Sequence, residues 1–321
     1  MKVKTRILLC CLLIVLVMCG CAKRKVAYVT EYADSEYDHS IKWNDTYAMN
    51  LCLVSDFNEK KEKVIDDQLK GYGAFSEKEY DILGLYNSDK KVYPASTTKV
   101  MTALLALESG KLDETVTVSK YAIESLEEGS SVCDLHVGDK LTLNDLLYGL
   151  LLESGNDAAV AIAEHLSGGS EVDFVTMMNE RAGQLGATRT HFVNAHGLHD
   201  KDHYTTVYDL YLIFNEALKY DEFREVLETK EFNTAITTSD GNMRSVNWKP
   251  TNYYASGDAK EPKGTTILGG KTGTTDQAGS CLVLYSKSDS DEPFVTIVMG
   301  AVDKEVLYKD MNALLKRENR K

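Results

Sequence analysis

Strand-like segments lie near both ends of this chain of 321 residues, and helical patterns fill the interval between them. β-Branched residues are frequent in three late runs, Thr265 to Leu268, Ser280 to Ser286 and Phe294 to Val302. The early segments YAMNLCLV and YDILGLYN are also strand-like. Apolar residues recur at helical spacing in four segments, 143–153, 158–166, 172–185 and 207–220. The sequence therefore predicts an α/β (α+β) fold, in which one sheet is assembled from both ends of the chain and a helical lobe is inserted.

The first twenty residues have the layout of a secretory signal. Lys2, Lys4 and Arg6 precede an uninterrupted apolar run over residues 7–18, which is too short to span a bilayer comfortably. The run ends in the letters MCGC, which resemble the lipobox of bacterial lipoproteins with Cys21 as the lipidation site. We expect residues 1–20 to be a lipoprotein-type signal, 21–46 a polar tether and 47–321 a domain at the outer face of the cytoplasmic membrane; plain secretion is the alternative.

Charge and cysteine usage narrow the possible functions. Three positive charges leave with the signal, so the net charge of -13 becomes about -16 for the exported part, and nucleic acid is not an expected partner. Of seven cysteines, three lie in the signal and Cys21 would carry lipid, which leaves Cys52, Cys133 and Cys281. Three scattered cysteines do not form a disulfide framework, and nothing in their spacing indicates a zinc site.

A serine and a lysine three residues apart stand directly before an apolar helical pattern. In the segment PASTTK, Ser96 and Lys99 face the same way because a helix is predicted from Ser96 to Leu107. A serine hydroxyl becomes a good nucleophile when a base removes its proton, and a lysine can be that base where its ammonium form is destabilised. The same spacing recurs at Ser88 and Lys91, but no helical pattern follows. Helical context therefore favours Ser96 as the nucleophile.

Two further polar motifs come later in the chain. Ser154, Gly155 and Asn156 lie between two helical stretches, where a bend at the glycine can turn both polar side chains toward a cleft. A second Ser-x-Asn, at 245–247, lies in an extended region instead. Lys271 begins the segment KTGT, which follows the β-branched run TTILGG. The three motifs, in this order behind an export signal, are those of penicillin-binding proteins and class A β-lactamases.

The motifs and their flanking segments resemble the low-molecular-mass D-alanyl-D-alanine carboxypeptidases, a family of serine peptidases among the penicillin-binding proteins. The likeness extends from about Tyr93 to Val302 and includes YPASTTKVMTALLALESGKLDETVTVS, LLYGLLLESGNDAAVAIAEHLSG, FVNAHGLHD and GGKTGTTDQAGSCLVLYS. It implies a β-lactamase/transpeptidase-like fold, with a five-stranded, mostly antiparallel sheet flanked by helices. It also implies removal of the terminal D-alanine from peptidoglycan stem pentapeptides through an acyl-enzyme, covalent inhibition by β-lactam antibiotics, and no cofactor.

The resemblance implies a role for each matching polar residue. Ser96 would be acylated and Lys99 would be its base. Ser154 would relay a proton to the leaving amine, while Asn156 would hold the substrate amide and Lys99. Lys271 would tune the electrostatics and help to hold the relay.

The resemblance also implies that Thr272, Gly273 and Thr274 bind the substrate. The two threonines would bind its terminal carboxylate. The backbone N–H groups of Ser96 and Thr274 would form the oxyanion hole. Some family members bind the carboxylate with an arginine just beyond the final strand, and the segment VMGAVDKEVLYKD contains none. Either Lys304 or Lys309 substitutes, or the threonines suffice.

Two features depart from the family pattern. The chain ends soon after a predicted helix over residues 304–317, so no C-terminal β domain is expected and the N-terminal lipid would replace the amphipathic anchor of other members. A charged excursion from Asn58 to Lys70 separates the two early strand-like segments, and we expect it to be a surface insertion.

Three other functions fit part of the sequence. A class A-like β-lactamase would share the motifs but needs a positioned glutamate, and no Glu-x-x-x-Asn segment of that type lies between Asn156 and Lys271. A β-lactam sensor would be acylated without turnover, but it needs a transmembrane link to a cytoplasmic partner. A metal hydrolase is the third alternative because histidines stand at positions 191, 196, 199 and 203, yet their spacing matches no recognisable ligand pattern and no metal is expected.

Overall fold

The computed structural model describes Cys52 and residues 65–78 and 81–318. The strands of its main sheet are β1 (Gly71–Ser76), β2 (Ile82–Tyr86), β7 (Thr265–Thr275), β8 (Gly279–Ser288) and β9 (Pro293–Ala301). They lie in the order β2-β1-β9-β8-β7, and every neighbouring pair is antiparallel. Early and late strands meet where β1 pairs with β9, so the predicted sheet built from both ends of the chain is confirmed.

The early part of this sheet differs from the prediction. Strand β1 was not expected, because all six residues of GYGAFS are buried and the segment shows no alternation. The predicted first strand at 47–54 lies outside the described residues apart from Cys52, which is buried. Among the described strands, the first two of the sheet, β1 and β2, both follow Lys70, so Asn58 to Lys70 does not lie between them, and residues 58–64 lie outside the described part. The end of that segment is not a surface excursion either, since Ile65 and Leu69 are buried.

The helices of the described part are α1 (Lys99–Glu108), α2 (Lys120–Glu124), α3 (Leu143–Leu151), α4 (Asn156–Ser167), α5 (Glu171–Gln184), α6 (Val207–Ala217), α7 (Asp221–Glu228), α8 (Tyr253–Ser256) and α9 (Lys304–Glu318). The four predicted helical segments and the terminal helix are confirmed as α3 to α6 and α9. Side-chain caps fix three of their starts: Thr142, Ser170 and Thr206 each accept a hydrogen bond from a backbone N–H three residues on.

The inserted lobe is not purely helical. A second sheet contains β3 (Thr115–Thr117), β4 (Lys140–Thr142), β5 (Phe232–Thr237) and β6 (Met243–Trp248), in the order β3-β4-β5-β6. The sequence analysis missed this sheet. Two of its strands have three residues each, which is too short for a period of two to be visible.

Helix α1 links the sheet to the lobe. Every residue of α1 from Lys99 to Leu107 is buried, so its amphipathic contrast is low and it packs on all sides. A 3₁₀ turn, Ala95–Thr98, precedes it and packs against the edge strand β7. On the opposite face of the sheet, α9 buries Leu307, Met311 and Leu315. The fold class predicted from the sequence is confirmed.

The length and apolar character of its residues decide whether a helix can cross a membrane. Among the residues that the structure describes, no helix combines the length and the apolar character that a membrane span requires.

Candidate active site

The first helical turn brings Ser96 and Lys99 together. The Nζ atom of Lys99 lies 3.0 Å from Ser96 Oγ, because the side chains at the start of α1 project from the same side of the turn. The same nitrogen lies 2.7 Å from Asn156 Oδ1 and 2.7 Å from the backbone carbonyl oxygen of His196. The side chain of Lys99 is fully buried, so these three oxygens are its polar surroundings.

The charge state of Lys99 decides what this arrangement can do. Burial, and next the positive charge of Lys271, hold the pKa of Lys99 well below its ordinary value. A neutral amine has two N–H donors and one lone pair. The oxygens of Asn156 and His196 can only accept, so they take the two N–H groups. The lone pair is left facing Ser96 Oγ, which is the geometry of a base removing the hydroxyl proton.

A buried carboxylate stands behind this pair. Asp157 lies in the first turn of α4 and is 1% exposed, and it accepts hydrogen bonds from the backbone N–H groups of Cys133 and Leu135. Its charge partly offsets the depression of the pKa of Lys99. Burial, and then Asp157, raise the pKa of the Cys133 thiol well above its ordinary value, so the thiol stays protonated and donates to Asp157 Oδ1 at 3.3 Å. Sequence analysis did not single out Asp157.

Ser154 and Lys271 form the second polar contact of the site. Lys271 Nζ lies 2.9 Å from Ser154 Oγ, although the residues are 117 positions apart. Burial lowers the pKa of Lys271 to about 7. The bend that the sequence predicts at Gly155 is made instead by Ser154, whose φ of 61° is left-handed, whereas Gly155 has a φ of -59°. A non-glycine residue in this region is strained, and such strain clusters at functional sites.

Strand β7 forms one wall of the cleft, beside the turn that carries Ser96. A Cβ atom built on Gly273 would lie 2.9 Å from both the Pro94 carbonyl oxygen and the Ser96 amide nitrogen, so only glycine permits this approach. Thr272 is half-buried and Thr274 is exposed. The β7 backbone at Thr274 and the Ser96 N–H therefore lie on neighbouring segments of one wall.

Thr251 is a cleft residue that the sequence analysis missed. Its Oγ1 atom lies 2.7 Å from Thr272 Oγ1, and its N–H donates to the Leu152 carbonyl at 3.1 Å. It thus joins the wall that carries Thr272 to the segment that carries Ser154. No motif marked it, because a single threonine in a loop has no distinguishing spacing.

Lys304, one of the two lysines that could substitute for an arginine, starts α9. Its Nζ atom lies 5.1 Å from the centre of the Tyr253 ring, a cation-π distance. Tyr253 in turn stacks on Tyr308, with ring centres 4.8 Å apart. Tyr253 is two residues from Thr251, so Lys304 contacts the same chain segment, 251–253, that contacts Thr272.

Three of the four clustered histidines, His191, His196 and His203, enter hydrogen bonds within the fold. The Val193 N–H donates to His203 Nδ1 at 3.2 Å, which places the ring proton on Nε2, 2.7 Å from Thr98 Oγ1. Burial lowers the pKa of His203 to about 3. His191 Nδ1 lies 2.6 Å from the Asp202 carbonyl oxygen. Within the described ranges, no three His, Cys, Asp or Glu side chains are arranged to hold a metal ion.

The two sequence patterns set aside earlier make other contacts than those of the Ser96, Lys99 and Ser154 side chains. The Lys91 ammonium lies 3.7 Å from the centre of the Tyr204 ring, and Ser88 is buried. Asn247 belongs to β6, where its amide bonds Asn233 across the strand pair at 2.7 Å. The expected lipidation site, Cys21, lies outside the described residues.

Known proteins share this arrangement of motifs and strands. A sequence model of the D-alanyl-D-alanine carboxypeptidase family (peptidase S11) matches residues 77–303. The protein belongs to this family. The resemblance inferred from the motifs is therefore confirmed.

Curated members of the D-alanyl-D-alanine carboxypeptidase family align with most of this chain. The enzyme DacF of Bacillus subtilis (strain 168) is 35% identical over 220 residues, which is 67% of this chain and 53% of the relative. The carboxypeptidase of Streptomyces sp. (strain K15) is 37% identical over 205 residues, 61% of this chain and 68% of the relative. DacC of Escherichia coli (strain K12) is 33% identical over 244 residues, which is 73% of this chain and 57% of the relative. The chain spans little more than half the length of the Bacillus and Escherichia relatives.

Solved structures of the family match the fold. The crystal structure of the Streptomyces K15 DD-transpeptidase has a TM-score of 0.70 and 31% identity, and the match covers 78% of this chain and 96% of that one. The D-alanyl-D-alanine carboxypeptidase of Mycobacterium tuberculosis H37Rv has a TM-score of 0.69 and 26% identity, and the match covers 80% of this chain and 92% of that one.

Proposed function

We propose that the protein is a serine-type D-Ala-D-Ala carboxypeptidase that removes the terminal D-alanine from peptidoglycan stem pentapeptides. The observation that carries this proposal is the buried Lys99 amine, whose Nζ lies 2.7 Å from two oxygens that can only accept and 3.0 Å from Ser96 Oγ. Family membership supports the substrate class, since the curated relatives are named for D-alanyl-D-alanine.

Acylation follows from this geometry. Lys99 takes the hydroxyl proton as Ser96 Oγ bonds to the carbonyl carbon of the scissile amide. Negative charge develops on the carbonyl oxygen and is stabilised by the N–H groups of Ser96 and Thr274. The C–N bond then breaks, and the proton taken by Lys99 reaches the leaving nitrogen through the Ser154 hydroxyl, which Lys271 holds in place. The products are free D-alanine and an ester on Ser96.

Hydrolysis of the ester completes the cycle. Lys99, neutral again, takes a proton from a water molecule that attacks the ester carbonyl, and Ser96 recovers that proton as its bond to the acyl group breaks. A β-lactam presents a strained amide to the same nucleophile, but its leaving group stays attached to the acyl product. We therefore include β-lactam antibiotics as covalent inhibitors.

We propose in addition that the protein acts at the outer face of the cytoplasmic membrane. An N-terminal lipid on Cys21 would hold the enzyme at the outer face of the cytoplasmic membrane, next to its peptidoglycan substrate. The sequence feature that supports this is the lipobox-like segment after the apolar run.

The test of the proposed function uses labelled penicillin and a stem pentapeptide. We expect a covalent adduct on Ser96 by peptide mapping, and release of one D-alanine per pentapeptide by mass spectrometry. Ser96→Ala should abolish both, while the matched variant Ser88→Ala should retain both. Labelling that persists in Ser96→Ala, or rapid release of hydrolysed penicillin without D-alanine release from the pentapeptide, would contradict the proposal, and the second outcome would favour a β-lactamase.

A further inference from the structure

One of the two acceptors on Lys99 is a backbone carbonyl, and a short loop holds it in place. The loop over residues 194–198 is shaped by Asn194, whose Oδ1 accepts from the Gly197 N–H at 2.6 Å and whose Nδ2 donates to the Leu198 carbonyl at 3.0 Å. Gly197 packs directly on the Ser96 turn, since a Cβ atom there would come within 1.9 Å of the Ala95 carbonyl oxygen. These contacts set the loop's internal shape and one of its borders.

Glu171 fixes the loop from the other side. Its Oε1 accepts from the Ala195 N–H at 3.2 Å, and its Oε2 accepts from the Tyr121 hydroxyl at 3.1 Å. The Leu198 N–H donates to His196 Nδ1, so the ring proton lies on Nε2, which is 3.9 Å from the same Oε1. Glu171 thus contacts Ala195 and faces the ring of the next residue, His196. The carbonyl oxygen of His196 is the acceptor for Lys99.

We infer that Glu171, which belongs to none of the three motifs, is a positioning residue for the catalytic base. It acts through the loop, by holding the His196 carbonyl where it takes one N–H of Lys99. If this acceptor moved, that N–H would be left without its partner, and the amine could rotate so that its lone pair no longer faces Ser96. The inference deepens the proposed function and rests on Lys99 being the base.

A substitution of Glu171 also changes features unrelated to the loop. The residue stands in the first turn of α5, where a negative charge stabilises the helix. Glutamine separates the two effects, because it lacks the charge but keeps an oxygen for the Ala195 N–H and an amide that can bond the Tyr121 oxygen. The exposed Glu180 on the same helix offers a matched control for loss of a carboxylate.

The experiment measures penicillin binding and acylation separately, from the dependence of the acylation rate on penicillin concentration. Glu171→Ala should lower the acylation rate constant at least about tenfold while the dissociation constant of the non-covalent complex stays within about twofold. Glu171→Gln should recover most of the rate, and Glu180→Ala should not change it. Melting temperatures of all variants are measured in parallel.

The outcomes separate this inference from the proposed function. If the unaltered protein forms no adduct on Ser96, the proposed function fails. If it is acylated and Glu171→Ala is acylated at the same rate, only the inference fails. Equal rate losses in Glu171→Ala and Glu171→Gln would also overturn it, because the helix charge rather than the loop contact would then be responsible.

Discussion

Gly273 lies so close to Ser96 that a Cβ atom built on the glycine would be 2.9 Å from the Ser96 amide nitrogen. This approach joins strand β7, which belongs to the end of the chain, to a turn more than 170 positions earlier. It also places the two backbone segments proposed for the oxyanion hole next to each other.

Gly273→Ala should therefore slow acylation more than it destabilises the fold. A Cβ atom at this position contacts backbone rather than a flexible side chain, so the strand must move away from the Ser96 N–H. Loss of one oxyanion donor costs about a hundredfold or more in comparable enzymes, and we expect a loss of at least about tenfold in the acylation rate constant for labelled penicillin. Gly183→Ala is the matched control, because nothing lies within 4 Å of a Cβ atom there. Equal rates for the two variants would contradict the proposed oxyanion hole.

The pH dependence of acylation should reveal the base. Because burial and Lys271 depress the pKa of Lys99, the rate should still be near its maximum at neutral pH and should fall on the acid side as Lys99 gains a proton. Lys271→Met removes the second cation, so the pKa of Lys99 should rise and the acid limb of the profile should move to higher pH. Lys99→Arg should be inactive, since a guanidinium remains protonated. The base role is refuted if Lys99→Arg is acylated at the unaltered rate.

Carboxylate recognition should depend on Thr272 and Thr274, with help from Lys304. Thr272→Val removes a charge-assisted hydrogen bond, which contributes about 1.5 to 3 kcal/mol, so turnover of an acyl-D-Ala-D-Ala peptide should fall about tenfold or more. Lys304→Ala should give a smaller loss that grows at low salt. Amidation of the substrate should lower turnover by the unaltered enzyme similarly. If neither variant alters discrimination between free-acid and amidated peptides, the carboxylate is held elsewhere.

Acid should destabilise the fold through its buried neutral histidines. The pKa of His203 is lowered by burial from 6.5 to about 3, so between these pH values the unfolded chain binds one more proton than the native state. The unfolding free energy should therefore fall as pH decreases from about 6.5, by up to about 1.4 kcal/mol per pH unit for this histidine. His203→Gln should have a shallower pH dependence in urea unfolding, whatever its absolute stability. An unchanged slope would mean that His203 does not bind its proton on unfolding.

The lipid anchor should be detectable by metabolic labelling. A fatty-acid analogue should mark the protein, and Cys21→Ser should abolish the mark and release the protein into the medium. A multiply acylated cysteine binds a membrane firmly, whereas one short acyl chain binds only marginally. If the unaltered protein were found in the medium without the label, this part of the proposal would be wrong.

The sequence predicted those features that repeat or follow a regular spacing. The helices carried a visible period, and the long strands β7 to β9 were rich in β-branched residues. Strand β1 was not predicted because both of its faces are buried and two of its six residues are glycine. The His196 carbonyl could not be predicted at all, since every residue has a backbone oxygen and only the path of the loop brings this one to Lys99. Thr251 and Glu171 were missed for a related reason, because their contacts join segments far apart in sequence.

The two buried amines, Lys99 and Lys271, set a limit on how stable this protein can be. An interior position that holds an amine would contribute more to the unfolding free energy if it held an apolar side chain of similar size, because an amine loses its hydration on burial. Both lysines are fully buried, and both pKa values are lowered by that burial. Selection for thermal resistance alone would therefore replace them, for example with methionine, and would yield a more robust but inactive protein. Under the proposed function, the protein retains this weak point in its interior because the same burial makes Lys99 a base.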